Sequence, residues 1–103
     1  ATLLDYIAQG VNVDMVNQDG QSFIMLAAYH GHAELVRQLA AAGADVNLLN
    51  DRGQSPLAGA IFKKEDEVIS ALLEAHADPT AGQPNAIDSA RMFGREDLLE
   101  RLS

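Results

Sequence analysis

Apolar residues in this chain come in short bursts at helical spacing, separated by polar, glycine-bearing stretches. Leu35, Val36, Leu39 and Ala40 recur at i, i+1, i+4 and i+5, one face of a 3.6-residue helix. The pattern predicts helices over 33–42, 66–75 and 95–102. A first helix rich in small residues, such as Ala27 and Ala28, precedes each, over 22–30, 55–63 and 85–93. Ser22, Ser55 and Asn85 open these first helices, and each side chain can accept a hydrogen bond from an orphan backbone N–H. Gly31 and Gly94 close them and Gly43 closes a second helix, because glycine takes positive φ at little steric cost. His76 stands where Gly43 stands one unit earlier, and positive φ there costs a non-glycine residue on the order of 1 kcal/mol.

The order helix, tight turn, helix, long loop recurs because the sequence repeats. A shift of 33 residues places Gly20-Gln21-Ser22 on Gly53-Gln54-Ser55, Ala27 on Ala60, Glu34 on Glu67, Leu39 on Leu72, Ala42 on Ala75 and Ala44-Asp45 on Ala77-Asp78. Apolar mismatches are mild: Ile24 on Leu57, Tyr29 on Phe62, Leu35 on Val68 and Val36 on Ile69. Backwards, Gly43 falls on Gly10 and Val46 on Val13. Forwards the shift becomes 30 and pairs Leu57 with Ile87, Ala60 with Ala90, Ile69 with Leu99 and Leu72 with Leu102. A period of this length signals stacked units that bury their apolar faces against one another.

These residues carry a family resemblance. Ser22-Phe23-Ile24, Ala27-Ala28, Gly31-His32 and Gly43-Ala44-Asp45-Val46-Asn47 resemble the ankyrin repeat, as do Ser55-Pro56-Leu57, Ala60, Leu72-Leu73-Glu74-Ala75 and Ala77-Asp78 of the next unit. The resemblance implies an all-α solenoid of stacked helix-turn-helix units with hairpin-like finger loops. It divides one domain, 1–103, into a partial N-terminal repeat (1–14), two repeats (15–47 and 48–79) and a C-terminal capping repeat (80–103). There are departures. Ser22 and Ser55 replace the family's Thr, Phe23 replaces its Pro, and Met25, Ala58 and Asp88 replace its His. The Thr–His hydrogen bond between units is therefore expected to be missing, with modest stability as the consequence.

Both ends add to this picture. Residues 80–84 are too few for a full finger, so the last unit reads as a cap whose outer face carries Arg91, Arg95, Glu96, Glu100 and Arg101. Leu3, Tyr6 and Ile7 match Val36, Leu39 and Ala40, so the chain is expected to begin inside a second helix. An uncovered apolar stripe costs about 25 cal/mol per Å², which favours a piece of a longer polypeptide over an end covered by another chain.

Composition narrows the function. Hydrophobic residues make up 48% of 103 residues, ordinary for one soluble domain, and no apolar run is long enough to cross a bilayer. A formal charge of -8 argues against nucleic acid as a partner. The absence of Cys removes disulfides, thiol nucleophiles and Cys-based metal sites. No leader opens the chain, leaving the cytoplasm as the default compartment, although a removed leader would leave no trace.

Candidate chemistry dissolves into structure. Ser22 and Ser55 match Asn85 and read as caps rather than nucleophiles. His30 and His32 are i,i+2 and flank a helix end, so they do not face one another as a metal pair. Glu65-Asp66-Glu67, with Glu34, Glu96 and Asp97, falls in first turns of second helices, where the helix dipole favours carboxylates. No catalytic, cofactor-binding or metal-ligating residue is expected, nor a small-molecule substrate.

A surface is the better candidate. In the ankyrin family the concave face typically binds proteins, through finger loops and through positions after the first helix's small residues. Carried over, the helix positions are Tyr29 and His30, Phe62 and Lys63, and Met92 with Phe93. The finger positions are Val16, Gln18, Asp19 and Gln21, then Leu49, Asp51, Arg52 and Gln54. Tyr29, Phe62 and Met92 are equivalent and should form one row, which serves either partner contact or the sealing of joints between units. The expected function is a non-catalytic protein–protein interaction module, a scaffold or adaptor. The alternatives are a dedicated inhibitor or immunity-type binding protein, and the ankyrin segment of a larger enzyme or channel.

Overall fold

The computed structural model describes residues 14–102; the expectation for Leu3, Tyr6 and Ile7 lies outside them. Six helices follow one another: α1 (Phe23–Tyr29), α2 (Ala33–Ala41), α3 (Pro56–Phe62), α4 (Asp66–Glu74), α5 (Ala86–Met92) and α6 (Glu96–Leu102). Each first helix starts at its expected cap. The Ser22 Oγ accepts from the Met25 N–H, the Ser55 Oγ from the Ala58 N–H, and the Asn85 Oδ1 from the Asp88 N–H. Pro56 occupies the first helical position of α3, where its missing N–H costs nothing.

The same bonding closes five of the helices. The N–H of His32 reaches the Ala27 carbonyl at 2.9 Å, that of Glu65 reaches Ala60 at 2.9 Å and that of Arg95 reaches Ala90 at 2.8 Å. Ala44 and Ala77 do likewise with Leu39 and Leu72, each at 3.0 Å. This closure needs one left-handed residue per turn. Gly31, Gly43 and Gly94 supply it in three turns, but Lys64 (φ 60°) and His76 (φ 65°) supply it in the other two. His76 adopts the conformation its register demanded, and Lys64 repeats it where Gly31 stands one unit earlier.

Corresponding helices lie side by side: α1 packs on α3 and α3 on α5, while α2 packs on α4. Ile24, Val36, Leu39, Leu57, Ile61, Val68, Ile69, Leu72 and Leu98 fill the interior. Ala27, Ala28, Ala60 and Ala90 are buried along the first helices, where small side chains permit close approach.

Polar ties join the units at the base of the loops. The Asp45 N–H donates to the Asp14 carboxylate at 2.8 Å, and one unit on the Asp78 N–H donates to the Asn47 Oδ1 at 2.7 Å. On the second-helix side Arg37 of α2 meets Glu74 of α4 at 3.0 Å, with Glu67 at 3.9 Å and Glu34 at 4.0 Å. Arg91 of α5 and Glu96, Glu100 and Arg101 of α6 are exposed. Arg95 differs from expectation: it turns back across the joint, 3.1 Å from Asp66 and 3.1 Å from Asp97.

Candidate interaction surface

The loops ahead of α1 and α3 are built alike. The Asn17 Oδ1 accepts from the N–H groups of Asp19 (2.9 Å) and Gln21 (3.0 Å), while its amide donates to the Gln21 Oε1 at 3.1 Å. Asn50 repeats this with Arg52 (2.9 Å), Gln54 (3.0 Å) and the Gln54 Oε1 (2.9 Å). One amide thus satisfies two loop donors and fixes the finger without a long ladder. The repeated Asn-x-x-x-Gln was the sequence signal for this device. The two fingers also touch, the Asp51 N–H donating to the Asp19 carbonyl at 3.2 Å.

Finger residues Gln18, Asp19, Asp51 and Arg52 are exposed. Val16 and Leu49 are exposed apolar residues, as is Met15, which the sequence reading did not single out. The Asp51 side chain lies against Gly20, where a Cβ would collide with it. Asp51 therefore has a packing duty besides its place on the rim. Leu49 lies beside Gly82 of the following loop.

The row of equivalent residues divides. Tyr29 is half-buried, its ring seated on Gly59 of α3, and this burial pushes its hydroxyl pKa above the ordinary tyrosine value. Phe62 and Met92 stay 64% and 68% exposed. The reason lies one unit ahead. Gly59 has no side chain, whereas Ser89 at the matching position carries a Cβ and an Oγ bonded to the Asn85 carbonyl at 2.9 Å. The Phe62 ring leans instead on Phe93, edge to face at 69° with centroids 5.7 Å apart. His30 and Lys63 are exposed beside the row.

Between these rings runs an apolar cleft of about 210 Å³, lined by Tyr29, Ala58, Gly59, Phe62, Pro84, Met92 and Phe93, with Gln54, Lys63 and Ser89 at its polar points. On its other side Tyr29 also borders a polar hollow of about 280 Å³ under the fingers, with Asp19, Gln21, Asn50, Asp51, Arg52 and Gln54. The structure thus brings Tyr29, Phe62, Lys63 and Met92 to one cleft and Asp19, Asp51 and Arg52 to its neighbour. Among the described residues no group of three or more His, Asp or Glu side chains is placed to hold a metal ion. None of the described helices is long and apolar enough to cross a membrane.

A family model for ankyrin repeats in three copies matches residues 1–83. No curated protein matches the chain.

Proposed function

The chain belongs to the ankyrin-repeat family, and on that premise we propose that it is a non-catalytic binding module whose partner protein docks on the first helices and the finger loops. Ankyrin repeats are generally protein–protein interaction modules and typically carry no catalytic activity. The observation that carries the finer reading is the pairing of Phe62 and Phe93 with Met92 around an open apolar cleft. Folding gains little from leaving such rings in water, at about 25 cal/mol per Å² of apolar surface. Aromatic residues are enriched in binding hot spots, where truncation costs 2 kcal/mol or more. The polar fingers on the far side of Tyr29 supply the rim that surrounds such a centre.

The test is affinity capture with the native chain, with a Phe62→Ala/Met92→Ala variant, and with Ala41→Glu on the exposed back of α2 as control. Circular dichroism checks that all three are folded. Loss of the captured protein with the double variant alone supports the reading. Equal capture by a folded double variant sinks it. One tight stoichiometric complex among the captured species would turn the reading towards the dedicated inhibitor.

A further inference from the structure

The charges of this acidic molecule are segregated between its two helix layers. The second helices α2, α4 and α6 carry the carboxylates of Glu34, Asp66, Glu67, Glu74, Glu96, Asp97 and Glu100 against Arg37 and Arg101. The first helices carry one carboxylate, Asp88, against Arg91, and Lys63 and Lys64 follow directly on α3. Arg37 and Arg95 are held by carboxylates of the second layer. Among the described residues, Lys63, Lys64 and Arg91 form no ion pair, and all three are exposed. In a chain of formal charge -8, one of these unneutralised cations, Lys63, lines the apolar cleft. Arg91 does not line it: it stands where the buried Ala28 and Ile61 stand in the preceding units.

The size of the cleft limits what enters it. At about 210 Å³ it falls below the range of roughly 300–1,000 Å³ that encloses a drug-sized ligand. It has room for one large side chain. Phe62, Phe93 and Tyr29 offer ring faces and edges, and the unbranched Met92 adapts its shape, which suits an aliphatic, thioether or aromatic group.

Resting on the proposed function above, we infer that the occupant is an acidic segment of another protein that sets one Leu, Met or Phe side chain into the cleft and brings an Asp or Glu, within about a helical turn of it, to Lys63. Apolar burial supplies most of the affinity. Lys63 selects the partner, because a basic segment meets like charge at a desolvating surface.

A phage-displayed random dodecapeptide library, panned on the whole chain, tests this, with selected peptides resynthesised and titrated by fluorescence anisotropy. The expected result is enrichment of peptides with Leu, Met or Phe within four residues of Asp or Glu. Phe62→Ala or Met92→Ala should weaken these about tenfold or more. Lys63→Glu should weaken them about fivefold, by a factor that shrinks as salt rises. Neutral or basic selected peptides, or affinity within about twofold in Lys63→Glu, overturn the acidic partner; continued loss with Phe62→Ala then leaves the binding face standing. Peptides indifferent to every substitution on this face, or no enrichment at all, defeat both. Self-association of the native chain that Phe62→Ala abolishes would give the face to a second copy and likewise overturn the inference.

Discussion

The Tyr29 ring lies against the backbone of Gly59, so close that a Cβ on Gly59 would collide with its Cε1 edge. Glycine inside a helix costs about 0.8–1 kcal/mol relative to alanine, and α3 bears that cost to receive the ring of the preceding unit. Gly59→Ala should therefore gain helix propensity but lose about 1–3 kcal/mol through overpacking. In a Tyr29→Ala background the clash is gone, and the same change should stabilise by about 0.5–1 kcal/mol. A double-mutant cycle in urea should report a coupling of about 1–3 kcal/mol. Additive substitutions would mean the ring does not seal this joint.

Lys64 and His76 hold left-handed backbone at φ 60° and 65°, where Gly31 and Gly43 stand one unit earlier. The conformation costs an L-residue roughly 1–2 kcal/mol, while glycine loses about 0.4–1 kcal/mol through its freer unfolded chain. Lys64→Gly and His76→Gly should each stabilise by about 0.5–1 kcal/mol. The urea midpoint should rise without a change in slope. A lower midpoint in both would count against the helix endings described.

Local chemistry was the most legible part of this sequence. Ser22, Ser55 and Asn85 cap as expected because an N-cap depends only on its own first turn. His76 was legible because register alone fixes it, and the same register pairs Gly31 with Lys64. The division of the row was harder to read. Tyr29, Phe62 and Met92 are equivalent in sequence, yet what each meets depends on the following unit, Gly59 in one case and Ser89 in the next. Arg95 likewise counted as outer polar surface, because nothing in its own unit reveals Asp66 across the joint. Contacts between units, rather than within them, decided what the pattern left open.

The Asn47 amide oxygen accepts the Asp78 N–H at 2.7 Å, as the Asp14 carboxylate accepts that of Asp45. These bonds tie successive loop bases together in a stack that lacks the family's Thr and His. Asn47→Ala should cost about 0.5–1.5 kcal/mol, the net worth of one such hydrogen bond. Amide exchange at Asp78 should speed up more than exchange in the interior of α4. Unchanged exchange at Asp78 would remove this bond from the account of how the units cohere.

Asp97 sits beside the Arg95 guanidinium, whose hydrogen bond holds its carboxyl below the usual range. Asp78 is held low by the hydroxyl and N–H of Thr80. A lowered folded-state pKa gives stability that is present above the unfolded value, about 3.9, and is lost as pH falls through the folded one. Both groups are exposed, so the loss should be small and confined to pH below about 4. Arg95→Gln should move the Asp97 titration, followed by carboxyl NMR, back towards the ordinary value while leaving Asp78 in place. A fixed Asp97 titration would show that Arg95 does not govern it.

At the alkaline end Tyr29 contributes in the opposite sense. Burial against Gly59 raises its pKa, so the folded state keeps a proton that the unfolded chain releases near pH 10. Stability should therefore fall as pH rises above about 10, since the unfolded state then binds fewer protons. Tyr6→Phe leaves Tyr29 as the sole tyrosine, and its ultraviolet titration at the phenolate band should lie above that of the unfolded chain. Tyr29→Phe should flatten the alkaline loss of stability. A normal titration in the Tyr6→Phe chain would place the ring in water and take away the joint on which the asymmetry of the row depends.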